Sequence, residues 1–245
     1  MIAVVSPSKT MREEHFEIET TEPKFKNDAK KLAQVLRKYE VADLMDLMKI
    51  SEKLAVQNFE RFKSFNRAET YPAAWLFHGD VFHGLKIDDF TEQDIDYAQD
   101  HLRILSGLYG ILRPRDAICP YRLEMGTKLP TDKGANLYQF WGARVQKELV
   151  KSPEGDLLVN LASKEYSRVL DPKSIAIPVL EVEFMEIRKG QPVGIPLFSK
   201  TARGSMARWM IKEKAQEKED LQDFDYDGYE FSGDLSDDWK YVFTR

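Results

Sequence analysis

The sequence predicts a mixed α/β fold of the α+β kind, in a single compact domain spanning residues 1–245. Three observations lead there. Short apolar runs of strand length, at 2–6 and 156–161 among others, alternate irregularly with longer stretches of helical spacing, so the order is not a regular βαβ series. A chain of 245 residues with 42% apolar side chains can bury roughly 70–75% of its unfolded surface. No internal repeat, and no linker rich in Gly, Pro or Ser, divides it.

In chain order, the run at 2–6 is a buried strand stopped by Pro7, which leaves Lys9 and Thr10 just beyond its end. Residues 25–65 are helical: Ala29, Leu32, Ala33 and Leu36 share a face, a second pattern runs over 41–49, and Ser51 is placed to cap a third segment. The corner at Lys49, Ile50 and Ser51 joins either an ordinary antiparallel helix pair or a helix-hairpin-helix element. The second form normally carries Gly-x-Gly, absent here, so the ordinary pair is favoured. Residues 73–77 read as a strand.

Thr91, followed by acidic residues, starts a helix in which Ile95, Ala98, Leu102 and Leu105 form one stripe. Between 106 and 129 the pattern dissolves into Gly107, Gly110, Pro114, Pro120 and Gly126 interleaved with charges, a long ordered loop of the kind that carries function. Leu137, Trp141, Val145 and Leu149 mark one helix, 156–161 a strand, and 175–198 two strands around Lys189, Gly190 and Gln191. A final helix follows Arg203. Its stripe of Met206, Trp209 and Met210 leaves Arg208 and Lys212 facing solvent or a ligand, and 229–231 and 241–243 read as late strands.

The net charge of −5 argues against a polyanionic partner only on average. Residues 86–100 carry −5 and residues 215–245 carry −7, whereas 101–150 and 195–214 each carry +4. If the two basic segments meet, they form one cationic patch. Arginine and lysine beside loop glycines suit phosphate, because glycine lets the backbone approach and arginine offers a bidentate fork.

Other chemistry is less well supported. Ser6 and Lys9 have Ser-x-x-Lys spacing but leave a strand through a proline, not along a helical turn. His78, Asp80 and His83 place metal-capable groups near one another without a recognisable ligand spacing, so no metal and no cofactor is assigned. Cys119, the only cysteine, excludes an internal disulfide and reads as a small buried hydrophobe despite Arg115 and Arg122 nearby. Glu124, Glu165 and Asp80 are the candidates for acid or base work, or for orienting the arginines. The apolar runs are too short to span a bilayer, and the N-terminus lacks a cationic leader, so a cytoplasmic protein with no membrane partner is expected.

The run Leu105-Ser-Gly-Leu-Tyr-Gly-Ile-Leu-Arg-Pro-Arg-Asp116, continuing into Pro120-Tyr-Arg-Leu-Glu-Met-Gly-Thr-Lys-Leu129, closely resembles the signature of the YaaA family of bacterial peroxide-stress proteins. So do Ser6-Pro-Ser-Lys-Thr10, Gly79-Asp-Val-Phe-His-Gly-Leu85, Leu137-Tyr-Gln-Phe-Trp-Gly142, Asn160-Leu-Ala-Ser-Lys-Glu-Tyr166 and Lys200-Thr-Ala-Arg-Gly-Ser-Met-Ala-Arg208. Ser8 and Phe82 stand where the family more often has Ala and Tyr. The resemblance implies a cytosolic protein that protects against hydrogen peroxide by limiting free iron and DNA damage. It also implies an unusual topology, a basic cleft, a helix-hairpin-helix-like element at 42–65 and affinity for duplex or structured DNA. By matching position, Lys9, Arg103, Arg113, Arg122, Lys128, Lys200, Arg203 and Arg208 are its candidate DNA or phosphate contacts. Two functions therefore stand side by side: a non-enzymatic DNA-binding protein, or an enzyme acting on a nucleotide or other phosphate-bearing small molecule with Glu124, Glu165 or Asp80 as acid or base.

Overall fold

In the computed structural model, which describes residues 1–151, 156–171 and 174–245, the first apolar run is Ile2–Val5 (β1). All four residues are buried, as expected of a strand with a parallel neighbour on each side. Three helices follow, Lys26–Leu36 (α1), Val41–Met48 (α2) and Glu52–Ser64 (α3), with Ala29, Leu32, Ala33 and Leu36 buried as their spacing requires. Lys49 turns the chain between α2 and α3 in the left-handed conformation (φ 53°, ψ 52°), a position more often given to glycine. Ser51 stands at the α3 N-cap, but its side chain makes no capping bond.

The reading of 73–77 as a strand is corrected. Tyr71–Pro72 (β2) pairs briefly, and Ala73–Leu76 (α4) then makes one helical turn buried on all sides. A run buried all round carries no period by which helix and strand can be told apart. Asp80–Leu85 (α5) leads to Glu92–His101 (α6), whose Thr91 and Asp94 form the reciprocal cap the sequence implied. That helix stops earlier than its apolar spacing suggests. Leu102–Ser106 (β3) is a strand parallel to β1, with Leu102 opposite Ala3, so Leu102 and Leu105 leave the proposed stripe.

The glycine-rich stretch contains two short strands, Gly110–Leu112 (β4) and Ala117–Ile118 (β5). The helix read across 137–149 is two helices, Leu137–Trp141 (α7) and Arg144–Val150 (α8), broken at Gly142 (φ 50°, ψ −137°). Leu158–Leu161 (β6) and the short Lys164–Ser167 (α9) precede a hairpin of Val179–Arg188 (β7) and Gln191–Val193 (β8), closed by Lys189 and Gly190 at positive φ. The last helix, Pro196–Glu213 (α10), starts well before Arg203 because Pro196 sits in its first turn, where a missing N–H costs nothing. Glu230–Phe231 (β9) and Lys240–Thr244 (β10) are strands as read.

The main sheet runs β4-β3-β1-β6-β7-β10-β9, with β8 paired to β7. Strands β3, β1, β6, β7 and β10 are mutually parallel, and β4, β9 and β8 add antiparallel edges. α10 packs on β1, β6 and β7, and also lies backbone to backbone against α5. A Cβ at Gly204 would fall 1.8 Å from the Val81 carbonyl oxygen, and one at Gly84 2.1 Å from that of Thr201. Only glycine at both positions allows this approach. The other expectation for α10 is corrected: Arg208 and Lys212 are not on a free face. Arg208 bonds the Lys86 carbonyl at 3.0 Å and pairs with Asp89 at 3.6 Å, and Lys212 meets Asp94 at 2.5 Å.

Candidate functional site: a crevice at the carboxyl ends of the strands

β1 and β6 lie side by side and parallel, but the chain leaves them in opposite directions, returning to β3 beside β1 and to β7 beside β6. In open α/β sheets such a divergence opens a crevice at the carboxyl ends of the strands. Here Ser163 N–H donates to Ser6 Oγ at 2.9 Å and joins the two departing loops. The resulting cavity of about 580 Å³ is lined by residues 6–10, 79–81 and 163–166 with Lys200 and Arg203. The contact between α5 and α10 builds one wall, setting Asp80 3.8 Å from Lys200.

Arg203 is the exceptional group. Its side chain is partly buried, its Nε is enclosed without a partner, and it makes no hydrogen bond or salt bridge with any described residue. Burial lowers its pKa from the usual guanidinium value, partly offset by the more distant charges of Glu183 and Glu181. A buried guanidinium nitrogen without a hydrogen-bond partner is unfavourable, and an anion accepting from Arg203 in the cavity offsets part of the desolvation of the group.

Two smaller recesses share lining residues with the cavity. In one, sharing Pro7, Ser8, Lys9 and Tyr166, are Arg122 and Glu124. Glu124 Oε1 accepts from Lys9 at 2.9 Å and from Arg122 at 3.1 Å, while the Arg122 Nε is also buried without a partner. In the other, sharing Lys164, are Asn160, Ser167, Arg168 and Glu181. The Arg168 guanidinium lies over the Tyr138 ring at 4.8 Å. Arg168, Lys164, Lys200, Arg203, Lys9 and Arg122 thus line a row of three depressions linked by shared lining residues. Glu165 lines the cavity and accepts Gly126 N–H at 3.0 Å, and the buried Tyr166 phenol is held well above its ordinary pKa by desolvation.

Comparison with known proteins decides the family. A family model described as "Peroxide stress protein YaaA" matches residues 1–235. The chain belongs to the YaaA family. Relatives over the full length of this chain are UPF0246 proteins of Caulobacter vibrioides (44% identical, covering 99% of that protein), Ruegeria pomeroyi (42%, 98%) and Crocosphaera subtropica (40%, 100%). The resemblance read from the sequence motifs is borne out.

In this YaaA-family chain the basic residues singled out from sequence separate into groups. Lys9, Arg122, Lys200 and Arg203 belong to the row, together with Asp80, Glu124 and Glu165. Arg103 and Arg113 line a different cavity of about 370 Å³, shared with Asp100, Asp116, Glu22 and Glu148. Lys128 is exposed on the loop before α7, and Arg208 is engaged beside α5. The charge of 101–150 is therefore split between sites. Sequence reading missed Lys164 and Arg168; their signal is position, since the short α9 that follows β6 begins at Lys164 and ends against Arg168.

The remaining candidates resolve simply. Ser6 Oγ is engaged with Ser163 while Lys9 is engaged with Glu124, so they do not form a nucleophile and base. Cys119 is buried near the Phe65 carbonyl, and burial pushes its thiol pKa up. Among the described residues no three His, Cys, Asp or Glu side chains cluster to hold a metal ion. No helix among them is long and apolar enough to cross a membrane.

Proposed function

We propose that this member of a peroxide-stress family binds duplex or structured DNA, seating backbone phosphates along the row from Arg168 to Arg122. The single observation that carries this is Arg203, whose buried Nε has no hydrogen-bond partner, in a cavity that shares lining residues with two further recesses bearing arginine and lysine. A row longer than one cavity suits a polyanion, and phosphate contacts supply most sequence-independent affinity for DNA. Protection against hydrogen peroxide through less free iron and less DNA damage is the cellular role that the family resemblance implies for such a grip, in a cytoplasmic setting.

A second reading is favoured by the central cavity alone. Its volume of about 580 Å³ lies within the range of small-molecule sites, and Asp80 and Glu165 stand in it beside the cations. That combination suits an enzyme acting on a nucleotide or another phosphate-bearing small molecule.

The test is a binding titration with duplex, single-stranded and branched DNA at 50 and 200 mM salt, with a mononucleotide as competitor. If four phosphates are neutralised, affinity for duplex falls roughly 150-fold between the two salts. A salt-insensitive interaction contradicts DNA binding. Tight mononucleotide binding without DNA binding selects the enzyme.

A further inference from the structure

The pair His78 and His83 takes no part in the row. His78 closes the segment leading into α5 and His83 lies within that helix. Backbone bonds fix both, from His78 N–H to the Thr10 carbonyl at 2.9 Å and from His83 N–H to the Gly79 carbonyl at 2.8 Å. Both side chains are exposed, their rings meet edge to face with centroids 4.6 Å apart, and their Nε2 atoms are separated by 3.3 Å.

With one ring neutral and its Nε2 unprotonated, that separation is a long N–H···N hydrogen bond. It also matches a metal chord. Two nitrogens each about 2.0–2.1 Å from a tetrahedral Zn²⁺ lie about 3.3–3.4 Å apart. Imidazole is a ligand of borderline character that suits zinc, copper or nickel and not magnesium or calcium.

We propose that His78 and His83 form a two-histidine site for a divalent cation of the zinc class, with water completing the coordination shell. No third His, Cys, Asp or Glu joins them among the described residues, and Asp80, between them in sequence, faces Lys200. With two protein ligands the site is an exchangeable one, since structural zinc sites use four. Gly79, Asp80 and Val81, three of the four residues between the histidines, line the large cavity.

The experiment is a Zn²⁺ titration of the tag-free, metal-stripped chain in competition with a chromophoric chelator, with Mg²⁺ as a control ion. One zinc per chain is expected, unaffected by Mg²⁺. His78→Gln and His83→Gln should each weaken binding roughly ten-fold or more, and His15→Gln, at another exposed histidine, should leave it unchanged. Circular dichroism checks that each variant is folded. Absence of saturable binding, wild-type affinity in His83→Gln, or loss of binding in His15→Gln overturns the proposal and leaves a surface histidine pair only.

Discussion

Replacing Arg203 by methionine separates two consequences of the same side chain. Methionine keeps much of the length and packing of arginine while removing the charge. In the free protein the half-buried Arg203 has its Nε enclosed without a hydrogen-bond partner, and burial lowers the pKa of the guanidinium. A base whose pKa falls on folding binds its proton less well in the folded state, so at every pH below that pKa the charge opposes folding. Exchanging buried charge for apolar volume is often neutral or stabilising by about 1–4 kcal/mol, and Glu181 and Glu183 already recover part of the penalty here. The expected gain is therefore between zero and about 2 kcal/mol, which for a chain of this size raises Tm by up to roughly 8 °C.

Binding should move the opposite way. A hydrogen bond to a charged group contributes about 1.5–3 kcal/mol, so Arg203→Met should weaken DNA binding roughly 10- to 150-fold. Urea denaturation of the free protein and fluorescence anisotropy with labelled duplex read the two effects separately. A variant less stable than wild type by more than about 1 kcal/mol without ligand would refute the reasoning, because Arg203 would then be a structural partner.

Three further outcomes follow from the geometry. Asp94, hydrogen-bonded by Lys212 and Thr91, has its pKa lowered to about 2, so its stabilisation is present above the usual carboxylate range and is lost as pH falls from about 4 towards 2. Asp94→Asn should cost about 2 kcal/mol in urea denaturation at pH 7 and almost nothing near pH 2. Gly204→Ala forces a Cβ onto the Val81 carbonyl and should cost about 3 kcal/mol or more, read as a Tm drop of roughly 6–12 °C; a shift below about 2 °C would mean that α5 and α10 are not in backbone contact. Glu124→Gln releases Lys9 and Arg122 from a shared carboxylate and should tighten duplex binding several-fold with a steeper salt dependence; weaker binding would assign Glu124 to positioning those cations instead.

Local signals carried much of the fold into the sequence, and failed where tertiary contacts decide. The strand at the N-terminus, the first helices and the cap at Thr91 were legible because polar caps and apolar periodicity are local. The turn at 73–76 was not, because burial on all sides erases its period. Leu102 and Leu105 continued the α6 spacing by coincidence, although the chain extends into β3 beside β1. Gly142 ended a helix through a conformation that spacing alone does not reveal. At the site, residue types were visible but their convergence was not: Lys9, Glu165 and Arg203 are brought together by parallel strands and a late helix from distant parts of the chain. Arg103 and Arg113, near Arg122 in sequence, were carried to another cavity by β3 and β4.

The most direct test of the central claim is the salt dependence of duplex binding in wild type and in variants from the two ends and the centre of the row, Arg122→Ala, Arg168→Ala and Arg203→Met. A log–log slope of several units in wild type, reduced by about 0.9 in each variant, is the expected result for one continuous phosphate track. A slope unchanged by Arg122→Ala and Arg168→Ala would contradict it, confining any anion to the central cavity.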